Sequence, residues 1–208
     1  MTSARRRTGR RPGSVDTRGR ILEAARQAFA ERGLDGTSVR QVASDAGVDP
    51  ALVHHYFGSK QRLFLAAMEF PIEPAVVIPS LVSGGPRDEL GRRFVAFLVT
   101  LWDRPDVRPL VTGVVRSAAT DAVAATMARR LLAEGPLLAI SNALDVPDAA
   151  LRAALASAQL MGLAMARYVI RIEPLASMSP EALAALAGPS IHRYLAGDLE
   201  PPKADGRG

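Results

Sequence analysis

Residues 37 to 60 read Thr-Ser-Val-Arg-Gln-Val-Ala-Ser-Asp-Ala-Gly-Val-Asp-Pro-Ala-Leu-Val-His-His-Tyr-Phe-Gly-Ser-Lys, and they constrain the fold more than any other stretch. Two segments with helical spacing are separated only by Ala46-Gly47-Val48. Glycine adopts positive φ without steric cost, so a tight turn can join two helices here. Thr37 or Ser38 can cap the first helix. Asp49 can cap the second, with Pro50 at its first position, where the missing N–H costs nothing. Val39, Val42, Ala43, Val48, Val53 and Phe57 then fall on inward faces. Pro50, Ala51, Leu52, His54 and His55 are left free to meet a partner. This is a helix-turn-helix pattern over about residues 38–57, and the DNA major groove admits one such helix.

The charge of the chain points the same way. Its 208 residues carry a formal +5, yet residues 1–20 alone, with seven arginines and one acid, hold +6. A basic head on a neutral body suits a polyanion at one end and an uncharged or internal partner at the other. Residues 1–15 read as a flexible Arg-rich arm, either a solvated tail or a segment that tracks DNA. The absence of cysteine excludes a disulfide framework and fits a reducing cytoplasm. The longest uncharged run, Ala153 to Ala166, is 14 residues, short of the roughly 20 a membrane span needs, so it reads as a buried helix. The arginines are followed by Ile21-Leu22-Glu23, not by the apolar stretch of a secretory signal.

The rest of the chain is Ala- and Leu-rich at helical spacing, without long Val/Ile/Thr alternation. The spacing predicts a first helix over 17–32, stopped by Gly33, and a fourth capped by Ser59 and limited by Pro71. Pro71, Pro74, Pro79 and Pro86 with Gly84-Gly85 predict a broken connector. Further helices are expected near 87–103, 106–118, 121–144, 148–172 and 180–196. The fold class is all-α.

Glu31 to Ala43, then Ala46-Gly47-Val48, then His54-His55-Tyr56-Phe57-Gly58-Ser59-Lys60 resemble the N-terminal domain of TetR-family transcriptional regulators. The resemblance covers roughly residues 16–70. It implies a three-helix DNA-binding domain there, a helical effector-binding and dimerisation domain over 71–200, and a tail at 201–208. It places Thr37, Ser38, Tyr56 and Lys60 on phosphates. It places Arg40, Pro50, Ala51, Leu52 and His54 toward base edges, with His55 beside them. Arg40 suits guanine, and Pro50-Ala51-Leu52 suit thymine methyls. His54 stands where the family often has tyrosine, and Asp49 where serine or threonine is common.

Other chemistries fare worse. Adjacent helical residues point about 100° apart, so His54 and His55 cannot chelate one ion; with His192 the only other histidine and no cysteine, no metal site or cofactor is expected. The chain has no phosphate-cradling glycine loop, and Gly188-Pro189-Ser190-Ile191-His192 is no nucleophile elbow.

In the body, Phe94, Phe97, Leu98, Leu101 and Trp102 make one apolar stripe, and Met127, Leu131, Met161, Met165 and Tyr168 supply adaptable surface elsewhere. Each reads first as core. The resemblance implies a small-molecule pocket among these helices, with Phe94, Leu98, Trp102, Met127, Leu131, Met161, Met165 and Tyr168 as candidate walls. Arg116 lies in an apolar stretch as a surface or interface charge, or else as an anchor for an acidic ligand. The last two helices are rich in small residues, and the resemblance implies a homodimer through them. The expectation is a cytoplasmic, non-enzymatic, ligand-responsive repressor released from a palindromic operator, with no membrane partner. A ligand-blind dimeric regulator with a filled body, or an all-α enzyme with a similar head, are the alternatives.

Overall fold

The computed structural model describes residues 16–69, 74–133 and 135–199, and among these every regular element is helical. The expected arm (1–15) and tail (201–208) lie outside the described residues, as does Pro71.

The head contains four helices: α1 (Thr17–Arg32), α2 (Val39–Asp45), α3 (Pro50–Phe57) and α4 (Lys60–Ala67). Each starts on a side-chain cap. Asp16, Ser38, Asp49 and Ser59 accept from the backbone N–H of Gly19, Gln41, Ala51 and Arg62. Such caps contribute about 1 kcal/mol each by satisfying first-turn donors. Gly47 sits at φ +63°, the conformation the α2–α3 turn requires. Phe29 and Phe64 meet edge-to-face at 5.1 Å in the centre of the head, both with no exposed surface.

The body contains α5 (Pro74–Ser83), α6 (Leu90–Asp103), α7 (Arg108–Ser117), α8 (Ala122–Ala133), α9 (Pro136–Ala143), α10 (Ala149–Ala164) and α11 (Pro180–Ala196). Three expectations are corrected. The Pro-rich connector holds a ten-residue helix, α5, with Pro79 inside it. The helix expected over 121–144 is two, because Gly135 leaves helical geometry and Pro136 starts the next. The helix expected over 148–172 stays α-helical only to Ala164, then widens into a π-helical segment, Met165–Ile170.

Helices α6 and α11 cross at Gly91 and Gly188. A Cβ on Gly91 would collide with Gly188 O and His192 N, and one on Gly188 would lie 2.7 Å from Arg92 Cα. Both residues are buried, and only glycine permits this approach.

Arginines fasten helix ends. Arg152, 6% exposed, donates to Pro147 O, Tyr194 O and Gly197 O, joining the start of α10 to the end of α11. Arg26 binds Ala67 O at the end of α4, and Arg93 binds Leu81 O in the last turn of α5 and Pro86 O after it. A guanidinium suits this work: it has several donors in one plane and a positive charge that offsets the negative helix C-terminus.

Packing runs continuously from head to body. Leu110 and Val114 of α7 and Ala124 and Ala128 of α8 belong to the same buried cluster as Ile21, Phe29, Leu34 and Phe64. The buried Ser117 hydroxyl, at the end of α7, accepts from Leu34 N at 2.8 Å. The interior of the head is therefore closed by the body.

Candidate nucleic-acid interface and effector cavity

Helix α3 turns Val53 and Phe57 into the head and leaves the rest outside. Ala51, Leu52, His54, His55 and Tyr56 are exposed and Pro50 is half-buried. For Leu52 and Tyr56 the exposure is 40% and 44%, large for apolar or aromatic side chains on an eight-residue helix. Arg40 on α2 is exposed, and among the described residues its guanidinium has no hydrogen bond or ion pair. A cation, an aromatic hydroxyl, two imidazoles and an apolar patch thus stand on adjacent short helices.

His54 has a constrained tautomer. Its Nδ1 lies 3.3 Å from Gly58 O. A carbonyl only accepts, so Nδ1 carries the proton, and in the neutral ring Nε2 is left as an acceptor.

One of the expected phosphate contacts is corrected, and another is partly engaged within the chain. Thr37 is 3% exposed, and its hydroxyl points inward to Gly33 O at 2.8 Å and Ala28 O at 3.1 Å. It fastens the α1–α2 connection, and Ser38 is the residue that caps α2. Lys60 is half-buried, with its ammonium 2.9 Å from Leu34 O. One of its three donors is thereby committed to the connector, and two remain.

Two described arginines of the basic N-terminal cluster are also engaged. Arg18 lies over the Phe57 ring at 5.5 Å, and Arg20 donates to Gly47 O at 3.3 Å. The second contact holds the turn itself; no periodicity in the sequence signals it.

The body encloses a partly open cavity of about 130 Å³. Four expected residues, Phe94, Leu98, Trp102 and Met161, line it. Phe97 and Leu101 of the same stripe join them, as do Val77, Ile78 and Leu81 of α5 and Val111, Val114 and Val115 of α7. Met127 is not on the wall; it packs against the head cluster. Met165 and Tyr168 pack in the body core away from the cavity. The backbone of Leu131 is in α8, but its side chain lies outside the described residues. Arg116 is exposed and does not reach the cavity.

Tyr168 has other work. It donates to Asp103 Oδ1 at 3.1 Å, and Arg167, 7% exposed, donates to Asp103 Oδ2 at 3.0 Å and to Tyr168 Oη at 3.2 Å. Burial first, and the adjacent Asp103 carboxylate second, push the Tyr168 phenol far above its ordinary range. Burial works against the Arg167 charge, but hydrogen bonds to Asp103 and Tyr168 outweigh it and hold the group protonated. Successive residues both reach Asp103 within the π-helical segment, which fastens the end of this helix to the α6–α7 corner. Trp102 stands edge-on to Tyr168 at 6.0 Å, so the clasp backs one cavity wall.

Cavity and head share residues. Val114 and Ala128 line the cavity and belong to the head cluster, and Met161 lines it while packing against both clusters.

Comparison with known proteins agrees with this arrangement. The model of bacterial regulatory proteins of the tetR family matches residues 21–67, and that of the tetracyclin repressor-like C-terminal domain matches residues 88–195. A TetR-family regulator of Streptomyces coelicolor is 40% identical, with a TM-score of 0.61, over 90% of this chain and 98% of that one. The HTH-type transcriptional regulator BetI of Brucella anthropi is 48% identical over 48 residues, 23% of this chain and 25% of BetI. The HTH-type transcriptional repressor AcnR of Corynebacterium efficiens is 44% identical over 59 residues, 28% of this chain and 30% of AcnR. The chain thus spans only a quarter to a third of the length of these curated relatives. With its C-terminal match alone covering half the chain, and a solved relative 40% identical over 90% of it, the protein belongs to the TetR family of bacterial transcriptional regulators.

Proposed function

We propose that the chain is a homodimeric repressor that places α3 in the major groove and leaves its operator when a small molecule enters the body cavity. The observation that carries the DNA reading is the outer face of α3, where Leu52, His54 and Tyr56 stand exposed beside the unpaired Arg40. An apolar, aromatic and basic surface of this kind suits thymine methyls, base edges and phosphates together. Ser38, Pro50, Ala51 and His55 complete the contact set. The repressor sense follows the relative in Corynebacterium efficiens, itself named a repressor.

The dimer reading rests on an incomplete burial. Helix Ala149–Ile170 has 22 residues and a mean hydropathy of 1.3 over its most apolar window, long and apolar enough to cross a membrane by composition. Only 33% of that window is buried in one chain, which corrects the expectation of a buried core helix. Two buried arginines, Arg152 and Arg167, argue against a lipid surround. The bare stripe is Leu151, Ala154, Ala158 and Gly162 on α10, continued by Ala182, Ala185 and Leu186 on α11. Two copies related by a two-fold axis would cover it, and would present two α3 helices to successive grooves. The cavity favours the ligand-responsive form over a ligand-blind one, because its walls Val114 and Ala128 are also part of the head's interior. A ligand preferring one head position would shift the population toward it.

Arg40→Ala tests the interface. Binding to the preferred duplex, measured by fluorescence anisotropy at fixed salt, is expected to weaken by about tenfold to a hundredfold, the range of a lost bidentate base contact. Binding to random duplex should change far less. Equal losses on both would show that Arg40 meets phosphate only, and no loss on either would remove α2–α3 from the interface.

His54 offers a second readout. An Nε2 acceptor matches the exocyclic amine of adenine or cytosine, the two donors in the major groove. His54→Ala is expected to relax preference at one position of each half-site in a binding selection. A preference unchanged at every position would exclude a base contact by His54.

A further inference from the structure

We infer that the body cavity takes an uncharged, apolar ligand the size of a single aromatic ring, and rejects ionised molecules of the same shape. The inference rests on reading this cavity as the effector site, and it adds the chemical class of the effector.

The walls carry the argument. Every lining residue is aliphatic, aromatic, proline or methionine, so the polar atoms on the lining side chains are the Trp102 indole nitrogen and the Met161 sulfur. No lining side chain can neutralise a charge. The nearest carboxylate along the chain, Asp103, is engaged by Arg167 at 3.0 Å, Tyr168 at 3.1 Å and Arg108 at 3.3 Å. Its clasp would have to open before a cationic ligand gained a partner. An ion entering such walls gives up its hydration without compensation, and an unpaired charge in an apolar site is among the costliest arrangements in a protein.

Size narrows the class. The cavity holds about 130 Å³. An apolar cavity of about 150 Å³ lined by Leu, Ile and Phe stays dry and binds benzene. Here Phe94, Phe97 and Trp102 offer ring faces and edges, and Met161 can follow an irregular substituent. A monocyclic ring with a short alkyl group fits these walls, and the partly open side leaves room for an unionised substituent.

The chain has one tryptophan, and it lines the cavity, so intrinsic emission reports occupancy directly. The full-length protein is titrated in parallel with toluene, benzoate and benzylammonium. Toluene should change Trp102 emission saturably and raise the melting temperature. The two ions should bind at least about a hundredfold more weakly. Ala164→Leu, which fills a wall position, should lose the toluene response while circular dichroism verifies its helix content. Comparable affinity for either ion would overturn the proposal, and so would a toluene response that rises linearly without saturation, the mark of mere partitioning. Operator release is measured separately. Saturable toluene binding without release would uphold the ligand class and refute the effector reading, so the two failures are distinguishable.

Discussion

Phe64→Ala is expected to lower the melting temperature of the whole chain by roughly 10–15 °C, from a loss of about 4 kcal/mol. The ring is fully buried and meets Phe29 edge-to-face at 5.1 Å, so truncation forfeits its transfer energy and leaves a hole. The packing says more than the magnitude. Leu110, Val114, Ala124 and Ala128 of the body lie in the same cluster as Phe64. Head and body should therefore melt together. Trp102 emission, which reports the body, and helical circular dichroism are expected to fall in one coincident transition in the variant. An early loss of helix with an unshifted Trp102 transition would show that the head unfolds alone, and that the shared cluster is too weak to couple them.

Gly91→Ala carries the second large effect, and its sign is the informative part. Helix propensity alone would make alanine about 1 kcal/mol better than glycine within α6. The new methyl would instead collide with backbone atoms of α11, Gly188 O and His192 N, and backbone cannot swing aside as a side chain can. The helices must move apart, and overpacking of this kind costs about 3 kcal/mol. The melting temperature is expected to fall by roughly 10 °C at fixed protein concentration. Gly188→Ala should behave alike, since its Cβ would lie 2.7 Å from Arg92 Cα. A stabilised Gly91→Ala would mean that the crossing has slack and that close approach of the helices does not require glycine there. Because α11 also carries part of the exposed stripe, both variants should weaken dimerisation as well, which sedimentation can follow.

What the sequence made legible was local chemistry. Ser38, Asp49 and Ser59 cap helices because a short oxygen-bearing side chain before an apolar run has few other uses. Gly47 turns the chain for an equally local reason. The outer face of α3 followed from the same spacing that placed Val53 and Phe57 inside.

What was not legible depends on partners distant in sequence. The four prolines of residues 71–86 masked α5, although Pro74 sits at its start and Pro79 is tolerated within it. Gly135-Pro136 is legible as punctuation, but that it separates two helices, α8 and α9, rather than interrupting one helix over 121–144 depends on packing. Thr37 looked like a cap and a phosphate ligand because composition does not say which way a hydroxyl turns; Ala28 O and Gly33 O decide that. Lys60 turned to Leu34 O for a similar reason. The cavity is the deepest case. Its walls have the composition of a core, and a gap between helices is set by how they pack, so three of the eight expected wall residues, Met127, Met165 and Tyr168, pack elsewhere. Tyr168 and Met165 pack away from it where the helix widens, and α7, none of whose apolar residues is among the expected walls, supplies three of the observed ones.

The central claim is that two copies of this chain read one DNA site through paired α3 helices. A selection from randomised duplex by the full-length protein at physiological salt, followed by sequencing, tests it most directly. The account predicts a two-fold symmetric motif whose half-sites lie about one helical turn, or a multiple of it, apart. Affinity for that duplex should exceed affinity for random DNA by at least about a thousandfold at the same salt. An enriched motif without two-fold symmetry, or equal affinity for selected and random DNA, would contradict it.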